Sequence, residues 1–514
     1  MKSIRLISGF LTVGAWTLLS RVLGFVRDAM ILAYLGTGPA YEAFVVAFRL
    51  PNMFRRFFAE GAFNMAFIPQ YSKRLEGDED PSGFASQAIS GLATVLIVLT
   101  LLAQLSMPWL IYGLASGFAG QEQFDLSVAF GRIAFPYILF ISLAALLSGV
   151  LNAHGRFAAA AAAPVLLNIL MVGAMLGAVL VGGDVAQSLI WMVPFAGIAQ
   201  MALVWIAAQR AGISIRLQPP RFSPEMKQLV IVAVPAALAG GVVQVNLLVG
   251  QQVASYFDRA VGWLYAADRL YQLPLGVVGI AIGVVLLPDL SRRLKAGDHD
   301  GSRNALSRAA EISLALTIPA AVALVVVPLP LVSVLFERGA MTSDDSAAIA
   351  VAVAIYGLGL PAFVLQKILQ PLFFAREDTK TPFRYALGAM IVNAVIAVGL
   401  APFIGWIASA IATTLAGWAM VAMLGIGARG FGDVARFDRR FHSRIWRIVA
   451  ASLAMGAVLW MANVALTPFL GMAGLRYGAL AVLVLIGMAS YFGIGQLIGA
   501  FRLAEFKGAM RRGG

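Results

Sequence analysis

The sequence predicts an all-α polytopic membrane protein: fourteen transmembrane helices, arranged as two parallel six-helix repeats plus two extra C-terminal helices. Four observations predict it. Apolar residues make up 60% of the 514 residues and charged residues only 12%, with a mean hydropathy of +0.86, far from the mix of soluble globular domains. Apolar runs of about 20 residues or more follow one another, the length a helix needs to cross hydrocarbon while satisfying its own backbone. The roughly ten-residue alternation of a transmembrane barrel is absent. Finally, the chain repeats itself at a period of about 220 residues.

Taken in order, the spans fall near 6–35, 41–72, 83–114, 126–153, 158–182, 186–208, 224–255 and 261–290, then 306–336, 346–375, 381–402, 405–428, 443–467 and 474–500. The first begins behind Lys2 and Arg5 like a signal peptide. Its apolar run continues through Ser20-Arg21-Val22-Leu23-Gly24 with no small-residue cleavage site, so it reads as a retained helix. Connections alternate in charge. One set carries Lys73, Arg74, Arg156, Arg210, Arg216, Arg221, Lys227, Arg292, Arg293, Arg376, Lys380, Arg436, Arg439 and Arg440; the other has little more than Arg259, Arg338 and Arg476 among acidic residues. The positive-inside rule makes the basic set, with both termini, cytoplasmic. The net charge of +13 is then mostly topology, and nucleic-acid binding is not expected because no basic stretch forms a soluble domain. The expected organisation is an N-terminal lobe at 1–208, a cytoplasmic linker at 209–223, a C-terminal lobe at 224–428, and the last two helices within 429–514.

Five arginines inside the first two spans bear most directly on function. Arg21 and Arg27 interrupt the first, and Arg49, Arg55 and Arg56 the second. A charge at the bilayer centre costs roughly 2.5–3.5 kcal/mol on insertion scales and is rarely there without a purpose. Asp28, Glu42 and Glu60 offset the five only in part. A cationic chamber enclosed by protein, with an anion as its natural occupant, is the expected result. Arginine suits phosphate better than lysine does, because its planar fork binds bidentately and keeps its proton.

Spacing refines this picture. Arg21 and Arg27 lie six apart, about 600° of helix rotation, so they face different sides unless Gly24 breaks the helix. Asp28 can hold Arg27 as an ion pair. Arg49 and Arg56 share a face, and Arg49 can equally partner Glu42. One of Arg55 and Arg56 is expected to contact ligand, with Glu60 at i, i+4 from Arg56. Lys367, in the tenth span, is a further buried cation that either faces ligand or snorkels.

The repeat extends the chamber to the second half. Ile68-Pro69-Gln70-Tyr71-Ser72-Lys73-Arg74-Leu75 matches Leu287-Pro288-Asp289-Leu290-Ser291-Arg292-Arg293-Leu294, and Arg269 stands where Arg49 stands in the first half. His154, Pro164 and Asn168 have counterparts around Arg376, Pro382 and Asn393. Transporters built from such repeats bind substrate between the halves near the midplane and work by alternating access.

Other chemistry finds no support in the residues. The chain has no cysteine, which excludes disulfides and thiolate sites. His154, His299 and His442 fall in connections, with no Ser-His-Asp set or HExxH motif, so no metal site and no enzyme are expected. A membrane-embedded transferase would need an extracytoplasmic loop with a general base or metal-binding carboxylates. The longest connection, about 20 residues near 208–227, offers neither.

Ser20-Arg21-Val22-Leu23-Gly24-Phe25-Val26-Arg27-Asp28, Phe48-Arg49-Leu50-Pro51-Asn52-Met53-Phe54-Arg55-Arg56, Ala59-Glu60-Gly61-Ala62-Phe63 and Tyr265-Ala266-Ala267-Asp268-Arg269-Leu270 together resemble the lipid II flippases of the MurJ (MviN) family, across essentially the whole chain. That family belongs to the multidrug/oligosaccharidyl-lipid/polysaccharide (MOP) exporter superfamily. The resemblance implies transfer of the undecaprenyl-pyrophosphate-linked peptidoglycan precursor from the inner to the outer leaflet of the bacterial cytoplasmic membrane. It implies Arg21, Arg27, Arg55 and Arg269 as cavity arginines on the pyrophosphate. Ser20, Gly24, Asp28, Glu42, Arg49, Arg56, Glu60, Asp268, Gln272 and Lys367 are the supporting or gating residues. The last two helices would cradle the polyprenyl tail.

The chain departs from the family in places. Glu42 stands where some members have Asp, Gln272 where relatives have an acidic residue, and Gly262 where they have a serine. A sodium site of some members needs carboxylates where this chain offers Gln244, Asn246, Asn393 and Ala397. Membrane potential rather than sodium is therefore the expected drive, with no cofactor. Lipid II is the expected partner of a monomer that works beside the cell-wall synthesis machinery. The competing readings are a flippase for another polyprenyl-pyrophosphate-linked glycan and a drug/cation antiporter of the same superfamily. The excess of arginine over carboxylate argues against the antiporter.

Overall fold

A computed structural model describes residues 2–55, 62–77, 80–220 and 223–501. The described residues form helices throughout, with no strand among them. In chain order these are α1 (Lys2–Leu35), α2 (Pro39–Arg55), α3 (Ala62–Glu76), α4 (Pro81–Leu114), α5 (Glu122–Ala134), α6 (Tyr137–Ala153), α7 (Ala158–Val181), α8 (Val185–Arg210) and α9 (Pro224–Ala254). They continue as α10 (Ala260–Lys295), α11 (His299–Val326), α12 (Pro328–Phe336), α13 (Ser343–Phe374), α14 (Lys380–Ile404), α15 (Ile407–Ala428), α16 (Arg439–Leu470) and α17 (Arg476–Leu497). Among the described residues, ten stretches are long and apolar enough to cross a membrane: α4, α5 with α6, α7, α8, α11, and α13 to α17. Large apolar side chains point outward along them, Leu105 and Leu180 being 81% and 85% exposed. Apolar exposure on that scale fits hydrocarbon as the solvent.

Helix boundaries follow local chemistry. Asp80 Oδ1 accepts the Gly83 N–H at 2.9 Å and Pro81 follows as the first helical residue, so α4 starts there. Thr342 and Asp345 form a reciprocal capping box that opens α13. Two stretches expected as single spans are divided by proline. The 126–153 span starts earlier, at Glu122, and breaks before α6 at Pro136; the 306–336 span breaks between Val327 and Pro328. Proline lacks the N–H the helical ladder requires and clashes with the preceding turn.

The chain packs as two compact units. Unit 1 is Met1–Gly262 with Arg338–Met341, and unit 2 is Trp263–Glu337 with Thr342–Gly514. Within unit 1, α9 packs on α3 and α4.

In unit 1, Phe67 stacks on Tyr71 and Phe84 at 5.5 and 5.4 Å between centroids, fastening α3 to α4. Gly197 lets α8 approach α6: a Cβ there would lie 2.7 Å from the Tyr137 ring. Segment 338–341 packs on the end of α1, where the Ala340 N–H donates to the Ala33 carbonyl at 2.8 Å. In unit 2, α11, α13, α14 and α15 share one apolar core that includes Leu306, Ile368, Leu372 and Leu424. A second core joins α11, α16 and α17, where the buried Tyr491 hydroxyl donates to the Ala315 carbonyl at 2.5 Å. Polar contacts tie the start of α16 to α11. Arg308, Arg440 and Arg444 converge on the buried Glu311, and Asp438 accepts from both Arg308 and the Phe441 N–H.

Candidate functional site

The arginine-rich end of α1 is organised around α7. Positions 165, 168, 171, 175 and 178 of α7 recur at helical spacing and are buried, and all are apolar except Asn168. Asn168 meets α1 with both ends of its carboxamide. Its Oδ1 accepts from Arg27 Nη1 at 2.8 Å, and its Nδ2 donates to the Ser20 carbonyl at 2.9 Å. Arg27 also donates from Nε and Nη2 to Asp28 Oδ1 at 2.9 and 2.6 Å. Arg27 and Asp28 are each only 8% exposed. A buried pair of this kind is retained only with good hydrogen-bond geometry, and losing one partner costs about 3–5 kcal/mol.

The expected break at Gly24 is not found. α1 runs as one helix from Lys2 to Leu35. A Cβ at Gly24 would lie 3.5 Å from Asn168 Nδ2, in ordinary van der Waals contact, so Gly24 sits beneath the carboxamide that bridges Ser20 and Arg27. Arg21 accordingly lies on a different side from Arg27 and is exposed.

Glu42 has a role that its sequence position does not announce. It is fully buried, and its Oε1 accepts the N–H groups of Val261 and Gly262 at 3.1 and 3.4 Å. A carboxylate at the first turn of α10 satisfies amides without helical partners and sits favourably in the helix dipole. Gly262 explains itself here too: a Cβ would lie 3.0 Å from the Tyr41 ring, so a larger residue would have to push Tyr41 aside. Arg49 and Arg55 lie further along α2 and are partly buried. Arg56 and Glu60 lie outside the described residues, and so does the expected contact between them.

Unit 2 holds the second arginine centre, on α10. Arg269 places its guanidinium carbon 4.3 Å from the centroid of the Tyr265 ring, one turn earlier on the same helix. Asp268 Oδ2 lies 3.6 Å from Arg269 Nη2 and accepts a hydrogen bond from Gln272 Nε2. A neutral amide at 272 thus donates to Asp268, where a carboxylate would repel it. Tyr271 packs against Tyr356 and Phe363 of α13 at 5.3 and 5.7 Å, fixing the helix that presents these groups. Lys367 is exposed rather than buried, since neighbouring Ile368 and Leu369 occupy the packed face of α13. Asn393 and Ala397 are buried on α14, and the Gln244 and Asn246 side chains lie outside the described ones.

Sequence reasoning thus named Arg27, Asp28, Ser20 and Gly24, which unit 1 brings together, but assigned no role to Asn168. The available signal was a lone carboxamide in an apolar helical stripe, repeated as Asn393 in the second half. Tyr265 was quoted in a motif and given no role either.

Fixed guanidinium groups are suited to binding anions. Comparison with known proteins places the chain in a family. A family model described as lipid II flippase MurJ matches residues 31–480. A protein of Rhizobium meliloti (strain 1021) described as a probable lipid II flippase MurJ is 43% identical over 518 residues, covering 99% of this chain and 97% of that protein. One from Burkholderia cenocepacia, described as lipid II flippase MurJ, is 33% identical over 519 residues, covering 98% and 99%. Among solved structures, a lipid II flippase MurJ in an inward closed conformation matches with a TM-score of 0.79 at 23% identity, over 95% of this chain and 98% of that one. An inward-facing multidrug resistance MATE family transporter of the MOP superfamily matches with 0.69 at 14% identity, over 80% and 95%. These two structural likenesses show the fold.

Proposed function

The chain belongs to the lipid II flippase MurJ family, and from that premise we propose that it moves lipid II from the inner to the outer leaflet of the bacterial cytoplasmic membrane by alternating access. The observation that carries this reading is the buried Arg27, held by Asp28 and Asn168 within a chain of long apolar helices. No covalent step is involved. In this reading Arg21, Arg27, Arg55 and Arg269 bind the pyrophosphate, Glu60 and Asp28 position and balance them, and Glu42 braces the first turn of α10. Arg49, Arg56 and Lys367 add positive charge around the headgroup.

The same reading takes the chain as fourteen spans with both termini cytoplasmic, arranged as six-helix lobes at 1–208 and 224–428. The α16–α17 pair, apolar on its outward faces, receives the polyprenyl tail. Membrane potential drives the cycle without sodium or a cofactor, and a monomer suffices, working beside the cell-wall synthesis machinery. A net inward-directed negative potential favours return of a positively charged empty site, which is the physical basis for that coupling.

One observation favours a second reading. The fold is shared with a multidrug transporter of the MATE family, so a drug/cation antiporter is the runner-up. A cationic substrate calls for carboxylates, whereas the two described centres are each built on an arginine with one adjacent acidic residue.

The test uses cells depleted of their own flippase, this chain supplied in trans, and an enzyme that cleaves lipid II only from the outer face. Cleavage that requires the chain is the expected result. No cleavage, with the chain well inserted, would move the substrate to another polyprenyl-pyrophosphate-linked glycan.

A further inference from the structure

We propose that Tyr265 is a positioning residue for headgroup recognition, its ring setting the plane in which Arg269 meets an anionic phosphate; this rests on the flippase reading above. The two arginine centres are held by different chemistry. Arg27 is gripped along its N–H edges, with donor–acceptor distances of 2.6–2.9 Å to Asp28 and Asn168. Arg269 is gripped on its face, with its guanidinium carbon 4.3 Å from the Tyr265 centroid. A ring beneath a guanidinium engages the π face and leaves recognition by the N–H edges geometrically intact, and bidentate phosphate binding needs those edges in one plane.

Neighbouring residues support this division of labour. The Asp268 oxygen near Arg269 is at 3.6 Å, beyond hydrogen-bond length, and the same oxygen accepts from Gln272. Asp268 therefore supplies charge balance, and the ring supplies orientation. Tyr271, two residues after Arg269, anchors α10 on α13, so the backbone that carries Tyr265 and Arg269 is fixed independently of either side chain. Tyr265 sits at i, i+4 from Arg269, where side chains of one helix meet. It acts through the arginine, and its hydroxyl is not required.

The experiment reconstitutes the full chain in proteoliposomes and measures fluorescent lipid II transfer as a function of its concentration. Tyr265→Leu should raise the apparent KM about five- to tenfold with kcat within twofold, the scale of one cation–π contact. Tyr265→Phe should stay within twofold of the starting chain. In an Arg269→Lys background, where the planar cation is gone, Tyr265→Leu should add less than a further twofold, because partners acting as one unit are not additive. An unchanged KM in Tyr265→Leu, equal losses in Tyr265→Phe and Tyr265→Leu, or a full additional loss in the lysine background would each overturn the proposal. If Arg269→Ala transports normally, the role of Arg269 itself fails. If Arg269→Ala is inactive and Tyr265→Leu is normal, only the tyrosine proposal falls.

Discussion

Replacing Gly339 with alanine probes the backbone joint between segment 338–341 and the end of α1. Gly339 has φ +61°, a left-handed conformation in which alanine costs about 1 kcal/mol relative to glycine. Its new Cβ would also fall well inside contact distance of the Ala33 carbonyl oxygen. The segment must lift, and the 2.8 Å hydrogen bond from the Ala340 N–H to that same oxygen is lost, about another 1 kcal/mol. Together these are about 2 kcal/mol, or roughly a 30-fold rise in the population of the undocked segment. Gly212→Ala is the control. It shares a positive φ of +76°, but nothing lies within 4 Å of the added Cβ, so only the conformational cost remains. Hydrogen exchange of the Ala340 amide in detergent micelles reads the difference. Exchange accelerated about 30-fold in Gly339→Ala and unchanged in Gly212→Ala is the expected outcome. Unaltered Ala340 exchange in Gly339→Ala would show that the contact with α1 does not hold the segment.

Two further perturbations follow from the buried polar contacts. Glu42→Gln keeps an acceptor for the Val261 and Gly262 amides and should cost under about 1 kcal/mol. Glu42→Ala, which abandons both amides, should cost about 1–3 kcal/mol, and unfolding midpoints in detergent would rank the two. His154 Nε2 lies 2.9 Å from the Tyr71 hydroxyl, and partial burial together with Arg156 lowers its pKa from the ordinary 6.5. A neutral ring accepts that hydrogen bond. The contribution is therefore complete above pH 6.5 and is lost as pH falls through the lowered folded-state value. Thermal stability of the chain should decline on acidification through that window. His154→Gln, which cannot titrate, should flatten that part of the profile; an identical decline in both would assign it to other groups.

Much of the helical layout was legible because lipid imposes it. The run expected at 158–182 is α7, Ala158–Val181, and the one expected at 186–208 is α8, Val185–Arg210. Apolar periodicity says little about where a proline inside such a run divides it, so the breaks at Pro136 and Pro328 escaped notice. At the site, Arg27 and Asp28 were readable as neighbours because they are consecutive in the chain. Asn168, 141 residues from Arg27, was not, since sequence pattern fixes which face is apolar but not which distant helix packs on it. The same blindness misread Gly24 as a hinge. A glycine in an apolar helix does not by itself say whether the helix breaks there, and α1 continues through it. Glu42 likewise looked like a partner for an arginine on its own helix, while its carboxylate reaches backbone amides 219 and 220 residues away.

The most direct test of the central claim is transfer of lipid II by the purified chain alone. Proteoliposomes carrying it, with an imposed membrane potential and no sodium, should deliver fluorescent lipid II from one leaflet to the other. Arg27→Ala and Arg269→Ala should each abolish transfer while remaining folded in the membrane. Transfer that proceeds undiminished in both variants, or none at all from the well-inserted starting chain under either a potential or a sodium gradient, would contradict the account.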